Sequence, residues 1–551
     1  MSGTGTGLFG KMSGMLQHYR TSTAILRKVL KSPMSFDRSM EIIREGVEKR
    51  EKNFLSMLEK CVFRNPRSPY KALLDHAGYS FGDIESMVGE KGLEETLKKL
   101  HSDGVYLTIQ EYKGRIPAVR GNRTFRFKET DFNNASLSSG LDTQTGGTTG
   151  RSTKVKVPLE YILQNTVYGI HASRLYDIPG RKAIVWLPIL PALEGFFFNL
   201  RFGVAGNTPV KWYSQVDGRN MKPSMEDRLK TATTIRMSRL YGIRLPKPEF
   251  VDIGSTHTIA QWMDGNLKGG PGYAVVTYAS SAFRLVMEAK KRGLNLGKTV
   301  FWLMGEPLTE KKRDLIESYG CRAYTLYGCN ELMLIGHACL NSGEVDDIHV
   351  CRDKLAVIQH ARDVEHSNVK VDAFLFTTLM EISSKIFINT EIGDYGVLHR
   401  KPCGCPFEEL GYVEHIHTIR SFEKLTAEGM TFTGSNLVYL VEELLPKKFG
   451  GDLTNYQFLE AEDASGFTRL YILVSPEIAD FDEKALRETI FEGLFHGHDP
   501  EYVGARVMKD VWTRTNTIQV RRVNPIATRR GKVMPLFICK EKEIAGTGLL
   551  S

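Results

Sequence analysis

The chain has 551 residues, more than one hydrophobic core accommodates, so two or three domains are expected. At 42% hydrophobic and 25% charged residues it is globular rather than disordered, and no apolar run reaches membrane-spanning length. A net charge of +9 suits an anionic ligand, nucleic acid or an ordinary solvated surface; eight cysteines without an apolar N-terminal signal region point to reduced thiols and a cytoplasmic protein.

Residues from about 20 to 115 read mainly as helix. Leu55, Met57, Leu58, Cys61 and Val62 recur at helical spacing, as do Leu93, Leu97 and Leu100. The run Thr145–Gly146–Gly147–Thr148–Thr149–Gly150–Arg151–Ser152–Thr153 then combines backbone freedom, hydroxyl donors and a cation. Successive N–H groups in such a loop form an anion-binding nest. The spacing is not that of a Walker-type loop, and a flexible linker is the competing reading.

Lys182–Leu190 reads as a buried strand, followed by the core-packing run Phe196–Phe197–Phe198. Next comes strand–helix alternation. Gly272–Tyr278 is a strand, Ser280–Arg292 a helix stopped by Gly293, and Thr299–Met304 a second strand. Thr309 caps a helix bearing Leu315, Ile316 and Tyr319, stopped by Gly320, and Arg322–Leu326 is a third strand. The pattern argues for an α/β sheet with ligands beyond the carboxyl ends of its strands. Those ends deliver Gly305–Glu306–Pro307 and Tyr327–Gly328–Cys329–Asn330–Glu331. Phe374–Leu379 is a further strand, and Glu391–Ile392–Gly393–Asp394–Tyr395–Gly396 a glycine-rich turn.

Cys403 and Cys405 flank a tight turn, with Cys339 and His349 upstream, each beside a candidate strand. Two thiols plus a Cys/His pair supply the four ligands of a closed, structural zinc site; Cys351 and His337 are substitutes, and unrelated buried thiols the alternative. After Arg420 and a glycine at 429, the remaining chain reads as a small α/β domain: Leu437–Leu445 helix, Leu470–Val474 strand, Ala485–Phe495 helix, and a basic loop, Pro525–Val533, containing Lys532.

The order Gly-Thr-Thr-Gly-Arg, then YGxxE at Tyr327–Glu331, then Asp394, Arg420 and a late Gly531–Lys532, resembles the adenylate-forming acyl- and aryl-ligase superfamily. The phenylacetate–coenzyme A ligase type is the nearest branch, and the resemblance spans about residues 55–540. It implies an α/β fold: a large N-terminal adenylating domain with mixed sheets and a small, mobile α+β C-terminal domain. The implied division is an N-terminal helical segment (1–115), an adenylating core (116–420), a hinge (421–429) and a lid (430–551).

The resemblance also assigns roles. Gly146, Gly147 and Gly150 with Thr148 and Thr149 hold ATP phosphates, and Gly305, Glu306 and Pro307 border the adenine. Tyr327 and Gly328 face the base, Asn330 the α-phosphate, Glu331 Mg²⁺, Asp394 the ribose hydroxyls, and Arg420 the nucleotide. Lys532 bridges the acid and ATP at transfer. The branch favours aryl or arylalkyl acids, and Trp186, Phe197, Tyr278 and Ser281 are pocket candidates. Expected partners are a small carboxylic acid and coenzyme A, with an amine, a hydroxyl or a carrier-protein thiol as rival acceptors; a homodimer is common in the branch, and neither membrane nor nucleic acid is expected. Three positions depart from the pattern: Asn330 for Thr, Phe422 for an acidic hinge residue, and Thr153. They leave open a relative that binds nucleotide without chemistry. A basic zinc-containing nucleic-acid binder is the remote alternative, against which stands the absence of a gathered basic helix.

Overall fold

The computed structural model describes residues 35–137, 141–144, 154–189, 194–215, 225–267, 269–363, 370–421, 424–427, 430–433, 437–463, 465–494, 503–526, 533 and 535–537. Gly146, Gly147, Thr148, Thr149, Gly150, Thr153, Phe422 and Lys532 lie outside them.

A 12-stranded sheet dominates the described residues. Its strands are β1 (Lys182–Trp186), β2 (Lys211–Ser214), β3 (Pro248–Phe250), β4 (Tyr273–Tyr278), β5 (Val300–Met304), β6 (Arg322–Cys329), β7 (Met333–Ala338), β8 (Ile348–Val350), β9 (Leu355–Asp363), β10 (Lys370–Thr378), β11 (Thr390–Arg400) and β12 (Glu414–Ser421). Their spatial order is 9-10-11-12-8-7-6-5-4-1-2-3. From β3 to β6 neighbours run parallel; from β6 to β9 they run antiparallel.

The alternation read from sequence lies in the parallel half. Every residue of β4 is buried, as a central parallel strand covered on both faces demands. The helix Ala279–Arg292 ends at Gly293, and the helix Glu310–Ser318 begins at Thr309, whose hydroxyl accepts from Lys312 N. Strand β6 is longer than Arg322–Leu326: it continues to Cys329 because its second half changes partner. Residues 322–325 pair with β5 and residues 326–329 with β7, with a register shift between Tyr327 and Gly328. In the antiparallel half, the expected strand Phe374–Leu379 runs Lys370–Thr378, the candidate strands beside Cys339 and His349 are β7 and β8, and Glu391–Gly396, expected as a turn, lies within β11.

Helices cover this half too. Leu93, Leu97 and Leu100 form one face of Leu93–Ser102 and are fully buried; Leu58, Cys61 and Val62 lie on a π-helical stretch, Leu58–Phe63. Both join a core with Leu332, Ile335, Leu355–Ile358, Phe374–Phe376 and Ile416. Two further cores sandwich the parallel half. One lies under the helices Leu159–Leu175 and Glu194–Val204, the other under His257–Gly265, Ala279–Arg292 and Glu310–Ser318.

A second sheet follows, formed by β13 (Tyr456–Glu462), β14 (Thr468–Val474), β15 (Ile518–Arg521) and β16 (Leu536–Phe537) in the order 15-14-13-16. It has its own core, including Leu440, Phe458, Ile472, Ile490 and Trp512. It docks on the parallel half: Phe467 lies edge-on to Phe283, Thr309 donates to Glu462 at 2.8 Å, and Arg514 pairs with Asp252. No helix among the described residues is long and apolar enough to cross a membrane.

Candidate active site and Cys/His cluster

Strand β6 carries its chemistry at the point where it passes from parallel to antiparallel pairing. Gly328 fits there because a Cβ would sit 2.4 Å from the Met333 carbonyl oxygen. Tyr327 Oη donates to Asp394 Oδ2 at 2.6 Å, joining two residues read from separate motifs. Burial and the Asp394 charge push the Tyr327 phenol well up, so the phenol keeps its proton. Asp394 lies opposite Ser421, and Tyr395 opposite Arg420, in the β11–β12 register. Arg420 reaches Asp346 at 3.4 Å, and Asp346 also accepts from Thr418 N and Ile419 N at 2.8 and 3.1 Å. Tyr327 and Asp394 thus meet although β7, β8 and β12 stand between β6 and β11 in the sheet order, and Arg420 lies on β12, the strand paired with β11.

Glu331 sits in the turn after β6, with Asn330 beside it. Its carboxylate takes an ion pair from Lys113 Nζ at 3.0 Å, and Lys113 pairs equally with Glu129. Burial lowers the Lys113 ammonium, but Glu331 and Glu129 outweigh it and hold it above its ordinary range. Below the turn, the buried Lys354 donates to Leu332 O at 2.9 Å and Asn165 Oδ1 at 3.2 Å, and fixes the turn's last carbonyl. Lys113, Lys354 and Asp346 carried no sequence signal, because each acts across a long separation.

Gly305, Glu306 and Pro307 follow β5 as expected. Glu306 is engaged structurally: its two oxygens accept from Ser280 N at 3.0 Å and Ser280 Oγ at 2.8 Å, capping the helix after β4. Among the acid-pocket candidates, Tyr278 and Ser281 are buried at that same end of β4, and Ser281 accepts from Gln215 Nε2 at 2.5 Å. Phe197 packs with Tyr161 and Met333. Trp186 is fully buried on the other face of the parallel half, among Ile259, Val275 and Leu303.

The glycine/threonine loop lies outside the described residues, but the strands flanking it pair antiparallel, with Gln144 opposite Lys154. The approach to Lys532 is anchored as well. Ile526 N donates to Gln457 Oε1 at 2.8 Å, and Gln457 Nε2 donates back to Ile526 O at 3.2 Å.

Cys339, His349, Cys403 and Cys405 converge, with all four ligand atoms within 4.8 Å of one another. His349 Nδ1–H donates to Tyr412 O at 2.6 Å, which turns Nε2 toward Cys405 Sγ at 3.0 Å and Cys403 Sγ at 3.7 Å. Glu408 accepts from Cys403 N and Gly404 N at 2.8 and 2.6 Å and holds the turn between the thiols. A hydrogen bond from Cys339, then the neighbouring His349, holds the Cys405 thiol below the usual thiol range. Donor atoms of a tetrahedral zinc stand roughly 3.8 Å apart, so three sulfurs and one imidazole nitrogen fit that ion after small adjustment. Cys351 and His337 are outside this group. A neighbouring set, Cys339, Asp347 and His415, has its carboxylate taken by His415 at 3.0 Å and Lys401 at 2.7 Å.

No family model matches the sequence, and no curated protein matches it. Among solved structures, a 2-hydroxyisobutyryl-CoA ligase in complex with 2-HIB-AMP and CoA aligns over 89% of this chain and 90% of its own, with 16% identity and a TM-score of 0.50. The chain shares the fold of that ligase. More remote likenesses are to o-succinylbenzoate CoA synthetase of Bacillus subtilis, over 72% of this chain and 69% of that one at 11% identity and a TM-score of 0.38, and to an amide bond synthetase of Marinactinospora thermotolerans, over 75% and 70% at 12% identity and a TM-score of 0.38. Within this fold the large mixed sheet and the docked four-stranded unit correspond to the large and small parts expected from sequence.

Proposed function

We propose that this chain is an ATP-dependent, AMP-forming ligase that activates a carboxylic acid, an aromatic one of the phenylacetate type, and passes the acyl group to coenzyme A. The observation that carries the reading is the Tyr327–Asp394 hydrogen bond, 2.6 Å across 67 residues of sequence, at the carboxyl end of β6. It sets a ring for the base beside a carboxylate for two ribose hydroxyls.

In this reading Gly146, Gly147, Gly150, Thr148 and Thr149 hold the phosphates, and Gly305, Pro307, Tyr327, Gly328 and Arg420 surround the nucleoside. The carboxylate oxygen attacks the α-phosphorus, the bond to the β-phosphate oxygen breaks, and pyrophosphate leaves. Lys532 neutralises charge on the attacking and α-phosphoryl oxygens. Asn330 donates its amide to the α-phosphate in place of a hydroxyl. Mg²⁺, held by Glu331, would offset phosphate charge. For that, Glu331 leaves Lys113, which retains Glu129 as its partner. The unit from 430 acts as a lid turning on 421–429 between adenylation and transfer. The Cys339/His349/Cys403/Cys405 group holds a structural zinc, since four protein ligands leave no position for water.

The test is pyrophosphate exchange over an acid library, with and without coenzyme A. Exchange with a thioester product supports the full reading. Exchange without thioester supports an amine, hydroxyl or carrier-protein thiol as acceptor. A second reading, nucleotide binding without chemistry, draws on the Lys113–Glu331 ion pair at the magnesium position; ATP binding with no exchange for any acid would establish it.

A further inference from the structure

The helix Glu194–Val204 places Glu194, Phe197, Phe198 and Arg201 on one stripe, three and four residues apart. Glu194 begins it, close enough to Tyr278 to add to the burial that pushes that phenol up, and hence at the expected mouth of the acid pocket. Arg201 lies seven residues further in, roughly 10 Å along the axis.

Arg201 has an unusual setting. Its guanidinium lies 4.8 Å from the Phe198 ring and makes no hydrogen bond or ion pair among the described residues. Burial alone lowers it to about 10, so it remains a cation at neutral pH. Its stem passes through space left by Gly169 of the facing helix, where a Cβ would come within 2.4 Å of Arg201 Cδ. Phe198 in turn packs edge-on to Trp302 at 5.7 Å, and Trp302 lies 6.1 Å from His337. Trp302 Nε1 and both ring nitrogens of His337 are buried without partners. Native interiors rarely leave such groups unmatched. Here a cation, an indole donor and an imidazole gather at the inner end of one aromatic-walled stripe, with no anion among their described partners.

We propose that the acid activated by this chain carries a second, distal anionic group, as in aromatic and arylalkyl dicarboxylates, and that Arg201, Trp302 Nε1 and His337 bind that group at the inner end of the acyl pocket. This rests on the ligase reading above. The aromatic body lies along Phe197 and Phe198, one carboxylate remains at the nucleotide, and the other pairs with the guanidinium. A charge-assisted contact with this partly buried cation favours the distal carboxylate over a hydrogen or a hydroxyl.

The experiment compares pyrophosphate exchange by the full chain with 4-carboxyphenylacetate, 4-hydroxyphenylacetate and phenylacetate. We expect kcat/KM for the dicarboxylate to exceed that for phenylacetate by about tenfold or more, and Arg201→Met to collapse that ratio. Arg201→Lys should restore part of it. Gly169→Ala, which displaces the arginine stem, should lower the same ratio. A wild-type preference for phenylacetate or the hydroxy acid, or a ratio unmoved by both Arg201→Met and Gly169→Ala, would overturn the assignment. Should no acid support exchange, the ligase reading fails by itself, and calorimetric titration of 4-carboxyphenylacetate decides the site. Binding that weakens about tenfold in Arg201→Met upholds it; absent or equal binding removes it.

Discussion

In the Cys339/His349/Cys403/Cys405 cluster every donor already stands near a common point, and the backbone around it is tied by Tyr412 O and the Glu408 carboxylate. At the proposed nucleotide end, by contrast, the charged candidates are engaged with other protein groups: Glu331 with Lys113, Asp394 with Tyr327, Arg420 with Asp346. The first site draws on the end of β7, on β8 and on one turn; the second needs residues from six separate segments. A cluster assembled by strand register tolerates little change, whereas a site of exchangeable ion pairs opens when a competing ligand arrives. The one is built to hold and the other to swap partners.

The largest effect should come from Lys532→Ala. In the proposed ligase it lowers adenylate formation by about 10²–10³-fold, read by pyrophosphate exchange, with the melting temperature unchanged. Next, Cys405→Ser should strip the proposed zinc: metal content by elemental analysis, expected at one zinc per chain, falls, and the melting temperature drops by several degrees. Retained activity with lost metal would sharpen the contrast by separating the two sites. A smaller change is expected of Glu331→Gln, which should raise the Mg²⁺ concentration for half-maximal exchange by roughly tenfold at most while leaving zinc in place. An unaltered Mg²⁺ requirement would assign Glu331 to Lys113 alone.

The smallest effect concerns neither site. Burial, then the neighbouring His360 charge, holds His101 down at about 4. Unfolded, it titrates near 6.5, so between those values the unfolded chain binds the extra proton. Its contribution is complete above 6.5 and is lost as pH falls toward 4. His101→Gln should therefore narrow the gap in melting temperature between pH 7 and pH 5 by a degree or two.

Much of the parallel half was legible, because Gly293, Gly320 and Thr309 mark helix ends locally and β4 and β5 are short apolar runs. Most of the antiparallel half was not, since strands such as Leu355–Asp363 and Thr390–Arg400 are defined by pairing rather than by a turn signal. Tyr327 and Asp394 could be read because each lies in a short motif. Lys113 could not: nothing in its neighbourhood announces a partner 218 residues away. The Phe196–Phe198 run was read as packing, and Phe198 does pack; the charged residues three to four positions to either side of it, Glu194 and Arg201, carry their meaning only once the helix faces are known.

The shared core of the N-terminal helices has a consequence for synthesis. Phe54, Leu58, Leu97 and Tyr112 are covered by Leu355, Phe374, Phe376 and Ile416, which leave the ribosome about 240 to 360 residues later. Until then that greasy surface has nothing native to rest on, and its long-range closure is slow. Truncations ending before β12 should accumulate in chaperone-bound or insoluble form, however well their own helices form.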